Sequence, residues 1–146
     1  MIVRLLALCA ALIASPVVAA PTVKLGGSVT ATEGQAVPVP IIKTGSGRAK
    51  FGIRTIPDTA IAADFVPVNA VLSPYGSTAQ TVQTVDDAGY EPTPERVKVQ
   101  LYAVAGSKTV VDTTPQYITI LDNDPAPPPP MIVCPDGTSV PATSEC

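Results

Sequence analysis

Apolar and polar positions alternate along much of residues 21–124. Val37, Val39 and Ile41 alternate with Pro38, Pro40 and Ile42, and Phe51 and Ile53 share one face. Val97, Val99 and Leu101 point one way while Arg96, Lys98 and Gln100 point the other, and Ile118 and Ile120 repeat the pattern. A period of two belongs to a half-buried strand, and no stretch shows a convincing helical period. Turn residues break the β-branched runs about every 8–12 positions, the spacing of an all-β sandwich. Seven strands are predicted, near 22–31, 36–43, 49–55, 66–72, 79–85, 96–103 and 115–121. The expected fold class is all-β, a seven-stranded antiparallel sandwich with a modest core. Pro38 and Pro40 lack a backbone N–H, but they are two apart, so both gaps face the same side. The second strand can still pair on its other side, which predicts a sheet edge or a bulge there.

The ends of the chain break the pattern. Arg4 precedes an unbroken apolar run from Leu5 to Ala14, followed by small residues ending in Val18-Ala19-Ala20. Charged start, apolar middle and small-residue end make residues 1–20 a candidate signal peptide, cut after Ala19 or Ala20. The run is shorter than the ~20 apolar residues a spanning helix needs. No transmembrane segment is therefore expected after cleavage, and the protein is expected to be exported to the periplasm, the cell surface or beyond. Residues 125–133 are a Pro-rich linker whose Pro-Ala-Pro-Pro-Pro-Pro start favours stiff polyproline II. Residues 134–146 are a tail bounded by Cys134 and Cys146. In an oxidising compartment two such cysteines are expected to pair.

Charge changes the picture more than composition does. The chain has 146 residues, a charged content of 14%, a formal net charge of −3 and no His. Lacking His, it has no Ser-His or Cys-His nucleophile and no His-ligated zinc. Its acidic balance argues against nucleic acid, which needs a basic face. In an antiparallel sandwich, connections alternate between the two ends. That alternation puts Glu33, Asp58, Asp64, Asp86, Asp87, Glu91, Glu95, Asp122 and Asp124 at one pole. Lys43, Arg48, Lys50 and Lys108 fall at the other. Crowded carboxylates repel one another unless something neutralises them. A hard cation does so, and Ca²⁺, taking 6–8 oxygens in irregular geometry, suits several loops better than Mg²⁺ does.

These residues resemble a known family. Ala31-Thr32-Glu33-Gly34, Asp58-Thr59-Ala60 with Ala63-Asp64-Phe65, and Asp86-Asp87 occur in order along the chain. Glu91 and Glu95 follow, leading into Val97-Lys98-Val99-Gln100-Leu101, and then Ile118-Thr119-Ile120-Leu121-Asp122-Asn123-Asp124. Together they resemble a Calx-beta domain, an immunoglobulin-like sandwich, over residues 22–124. The resemblance implies Ca²⁺ held at one pole by Glu33, Asp64, Asp86, Asp87, Glu91, Glu95, Asp122 and Asp124. Asp58 aligns with a turn position and is expected to be structural. Two departures stand out. Pro92-Thr93-Pro94 puts three residues between Glu91 and Glu95 where the family has two, and Asn123 occupies the middle of the last motif.

The expected function is a secreted calcium-binding module, serving adhesion, protein interaction or surface structure with a protein or glycan partner. The alternative is a metal-free immunoglobulin-like spacer. An enzyme is not expected. Paired carboxylates can hydrolyse glycosides, but a small sandwich with 4% aromatic residues offers little cleft and little stacking surface.

Overall fold

The computed structural model describes residues 19–146. The proposed signal peptide therefore lies almost wholly outside the described residues. Among the described residues there are eleven strands: β1 (Thr22–Leu25), β2 (Val29–Thr32), β3 (Ala36–Thr44), β4 (Phe51–Pro57), β5 (Asn69–Leu72), β6 (Thr78–Gln83), β7 (Glu95–Ala103), β8 (Val110–Val111), β9 (Gln116–Leu121), β10 (Met131–Val133) and β11 (Ser139–Pro141). One sheet has the order β6-β3-β1-β8 and the other β2-β9-β7-β4-β5. Among the described residues, no helix is long and apolar enough to cross a membrane.

The core lies between these sheets and is built by the alternating positions. Val37, Val39 and Ile41 of β3, Phe51 and Ile53 of β4, Val97, Val99 and Leu101 of β7, and Ile118 and Ile120 of β9 are all buried. Phe65 joins them from a loop, linked by an isolated bridge to Thr84. Burying each large apolar side chain contributes about 1.5–3 kcal/mol.

The expected seven strands become eleven for three reasons. The first predicted strand is two. β1 runs antiparallel to β3 in one sheet, and β2 runs parallel to β9 in the other. Gly26-Gly27 makes the crossing. Gly26 donates its N–H to the Pro40 carbonyl at 2.8 Å. A Cβ there would sit 2.9 Å from the Cβ of Pro40, and Gly27 has a φ of 134°. Second, β8 forms in the connection after β7 and pairs in parallel with β1. The fold is therefore not wholly antiparallel: both sheets are mixed. Third, the tail contributes β10 and β11, which pair only with each other. Residues 131–133, assigned to the linker by composition, are in fact the first strand of this hairpin. The Cys134–Cys146 disulfide ties the C-terminal residue back to the turn end of this hairpin, with Cα atoms 5.4 Å apart.

The proline-bearing strand is not at the edge of its sheet. β3 lies between β6 and β1. Its partners nevertheless divide it: β6 covers Ala36–Ile41, and β1 begins only at Ile41. On the β1 side Pro40 faces Gly26, which bonds only its carbonyl, and Pro38 lies beyond the last residue of β1, so neither missing N–H leaves a ladder partner wanting. An interior strand with a locally open flank tolerates them.

Candidate metal centre

The pole beyond the ends of β2, β9 and the start of β7 gathers the carboxylates. Glu33 follows β2 and extends its parallel ladder, donating its N–H to the Leu121 carbonyl at 3.1 Å. That bond places Glu33 beside the residues that end β9. Glu33, Asp122 and Asp124 form one triad, each offering an oxygen within 4.8 Å of the others. Asp64, Glu91 and Glu95 form a second on the same criterion. Six of the eight expected ligands thus fall into two groups. The extra residue between Glu91 and Glu95 does not separate them.

Backbone donors fix the two groups to one another. Asp122 accepts the Glu91 N–H through Oδ2 at 2.6 Å and the Asp124 N–H through Oδ1 at 2.7 Å. Its carboxylate is a wall shared by both triads. Asp64 accepts the Ile61 N–H at 2.6 Å, and its own carbonyl accepts the Val85 N–H at 2.8 Å.

Asp86 and Asp87 stand beside the triads rather than within them. The Asn123 side-chain amide donates to Asp86 at 2.9 Å, and the Gly89 N–H donates to Asp87 at 2.6 Å. Asp58 is taken up by an ion pair with Arg96 at 2.9 Å, which makes it structural. Asp112, which follows β8, accepts the Thr114 N–H at 2.9 Å. Contact with the Thr114 hydroxyl and N–H holds its pKa low.

Two further residues shape the pole. Thr84 was a plain strand position in the sequence, yet it is only 1% exposed. Its hydroxyl accepts the Gln35 N–H at 2.9 Å and lies 3.2 Å from the Thr32 carbonyl and 3.0 Å from that of Gln35. It ties the Glu33 turn to the segment carrying Asp86. The signal that could have found it is a hydroxyl two residues before the Asp86-Asp87 pair. Gly34 has a φ of 73°, and a Cβ there would lie 3.1 Å from the Cβ of Asp86. A left-handed non-glycine residue costs about 1–2 kcal/mol before any clash. Gly34→Ala should therefore lower the midpoint of thermal unfolding by roughly 5–10 °C, as followed by circular dichroism.

The electrostatics are those of crowded, partly buried carboxylates. Burial, then the charges of Asp122, Glu91, Asp87 and Asp124, push the Glu33 carboxyl above its usual range. Burial and Asp64 do the same to Glu91, and burial and Asp122 to Asp124. Glu95 is pushed up to about 7 by burial and by the Asp64 carboxyl beside it. Glu33 and Asp64 are only 7% and 9% exposed. Among the described residues, three buried side-chain polar atoms lack any hydrogen-bond partner: Glu33 Oε2, Glu95 Oε2 and Asp124 Oδ2. All three belong to the triads. A buried carboxylate oxygen with no partner is costly, and these oxygens are placed to bind a hard cation. Ca²⁺ fits the donor set: carboxylates only, no His, and both described cysteines bridged.

No family model and no curated protein matches the chain. Solved structures do. The apo-form Calx CBD1 domain superposes with a TM-score of 0.64 at 21% identity, covering 73% of this chain and all of that domain. The calcium binding domain CBD12 of CALX1.1 gives 0.61 at 25% identity, covering 70% of this chain and 46% of that one. The Calx CBD2 domain gives 0.59 at 15% identity, covering 70% of this chain and 86% of that domain. The chain spans under half the length of CBD12, and its fold is Calx-beta-like.

Proposed function

We propose that the chain is a calcium-binding module of an exported protein, serving adhesion, protein interaction or surface structure. Glu33, Asp122 and Asp124 hold one ion, and Asp64, Glu91 and Glu95 hold another, with Asp86 and Asp87 alongside. One observation carries the proposal: every orphaned buried side-chain oxygen among the described residues lies in one of the two triads. The domain that resembles this chain at 25% identity is described as calcium binding, which supports the same assignment. Ca²⁺ prefers 6–8 oxygens at about 2.3–2.6 Å, whereas Mg²⁺ requires a tighter octahedron and keeps its waters. The loop-built triads favour the larger ion. The carboxyl-terminal hairpin, held off by prolines, is proposed as an attachment or presentation element.

Calorimetric titration with Ca²⁺ near neutral pH tests the metal assignment. Saturable binding is expected. Asp122→Ala should weaken it by at least about tenfold, because the variant removes a ligand and also frees the Glu91 N–H. Absence of binding by the native chain at millimolar Ca²⁺ would leave the metal-free spacer as the better description.

A further inference from the structure

The outer face of the five-stranded sheet carries an aromatic ring fixed along it. Tyr102 of β7 pairs with Gly52 of β4. Its ring covers the glycine, and a Cβ at position 52 would fall into the ring. The ring reaches on across β4, where its hydroxyl donates to Oδ1 of Asn69 on β5 at 2.9 Å. Asn69 is exposed and keeps its amide donors for a ligand. Tyr102 is partly exposed. A ring already held in place loses little freedom when a flat-faced ligand stacks on it.

The charge on this face has one sign. Arg54 pairs with Gln100 and donates from Nη2 to its Oε1 at 2.8 Å. Its guanidinium carbon is 5.8 Å from the Tyr102 centroid, near enough for cation–π attraction and too far to seal the ring. Lys98 lies two residues before Gln100 on the same face. The outward positions of β4, β7 and β9 hold no carboxylate. Among the described residues neither Arg54 nor Lys98 is in an ion pair, whereas Arg96 is taken by Asp58. Glu95, where the acidic pole begins, is about 17 Å along β7 from Gln100, roughly two Debye lengths at physiological salt. The pole's repulsion is screened over that distance. Exposed Lys50 precedes β4 at the Tyr102 end and accepts the Ser107 hydroxyl on its carbonyl at 2.7 Å.

We propose that this face is a binding site for an acidic polysaccharide. A sugar ring stacks on Tyr102, Arg54 and Lys98 pair with uronate carboxylates, and the Asn69 amide donates to a hydroxyl. Unpaired cations, an acid-free strip and a fixed ring are complementary to a partner that joins negative charge to flat ring faces. Two unpaired cations beside one ring suit one charge per sugar. A nucleic acid demands a wide basic face, which a chain of net charge −3 lacks. The site is separate from the carboxylate pole, and its occupancy does not depend on Ca²⁺.

Calorimetric titration of the full chain with tetragalacturonate tests it, in chelator so that Ca²⁺ bridges nothing. The methyl ester of the same tetramer and oligothymidylate are compared, as are the variants R54Q and Y102L, with folding checked by circular dichroism. Expected is saturable binding of tetragalacturonate, weaker by at least about tenfold for the ester and for either variant, with Ca²⁺ binding by R54Q as in the native chain. Arg54 is exposed, so R54Q decides the matter should Y102L lose its fold. No binding of tetragalacturonate, an R54Q variant that binds like the native chain, or an ester that binds equally overturns the proposal. Oligothymidylate bound as tightly as tetragalacturonate shows a general polyanion surface and overturns it too. Self-association in chelator that R54Q abolishes identifies the acidic pole of a second copy as the occupant and likewise overturns it. None of these results bears on the calcium assignment.

Discussion

Stripped of Ca²⁺, the protein should become less stable as pH rises from about 5 to 8, and Ca²⁺ should reverse that trend. The Glu95 carboxyl titrates near 7 in the fold against an ordinary value of 4.5. Glu33, Glu91 and Asp124 are displaced in the same direction. Between the unfolded and folded values the native state binds more protons than the unfolded chain. Stability then falls as pH rises through that window. The stabilisation is fully present below the unfolded value and lost above the folded one. Ca²⁺ binds the ionised form, so its effect grows over the same interval. At a free concentration a hundred times its dissociation constant, one ion adds about 2.7 kcal/mol, a rise in melting temperature on the order of 10 °C. Thermal unfolding followed by circular dichroism across this pH range, in chelator and in Ca²⁺, measures both arms. A flat apo profile would remove the electrostatic account of the pole.

Glu33→Gln should separate stability from binding. The side chain is 7% exposed, has an orphaned Oε2, and is crowded by Asp122, Glu91, Asp87 and Asp124. Glutamine keeps its shape, removes its charge and adds an amide that can donate to the neighbouring carboxylates. The apo protein should therefore melt higher, by an amount on the order of a few degrees. The Ca²⁺ affinity should fall by at least about tenfold, the lower end of what disturbing even a ligand's outer partners costs. If Glu33 were simply a structural carboxylate, the variant would melt lower and bind Ca²⁺ as before. Opposite signs in two measurements on one variant distinguish the cases.

Much of the sandwich is legible because a period of two needs only local information. Alternation points Val97, Val99 and Leu101 inward, and they are 0–1% exposed. What depends on partners is harder to see. The crossing at Gly26-Gly27 is visible as a break, but which sheet each half joins is decided by β3 and β9. Val110–Val111 is too short to announce itself, and its strand character comes from lying beside β1. Pro38 and Pro40 carried the right direction and the wrong position, since their open flank is created by β1 leaving. At the pole, alternation of connections brings the acids together without saying which share an ion. The division into two triads follows from the Leu121 carbonyl receiving Glu33 and from Asp122 receiving Glu91. The burial of Thr84 is not visible in the sequence because it comes from the Thr32–Gln35 turn bonded to its hydroxyl.

Whether the two triads are cation sites is decided by equilibrium dialysis against radiolabelled Ca²⁺ near pH 7.5. The prediction is saturable retention of at least about one ion per chain, withstanding excess Mg²⁺ and strongly reduced in a Glu33→Gln/Glu95→Gln double variant. Equal Ca²⁺ on both sides of the membrane for the native chain, at every concentration up to the millimolar range, would contradict it.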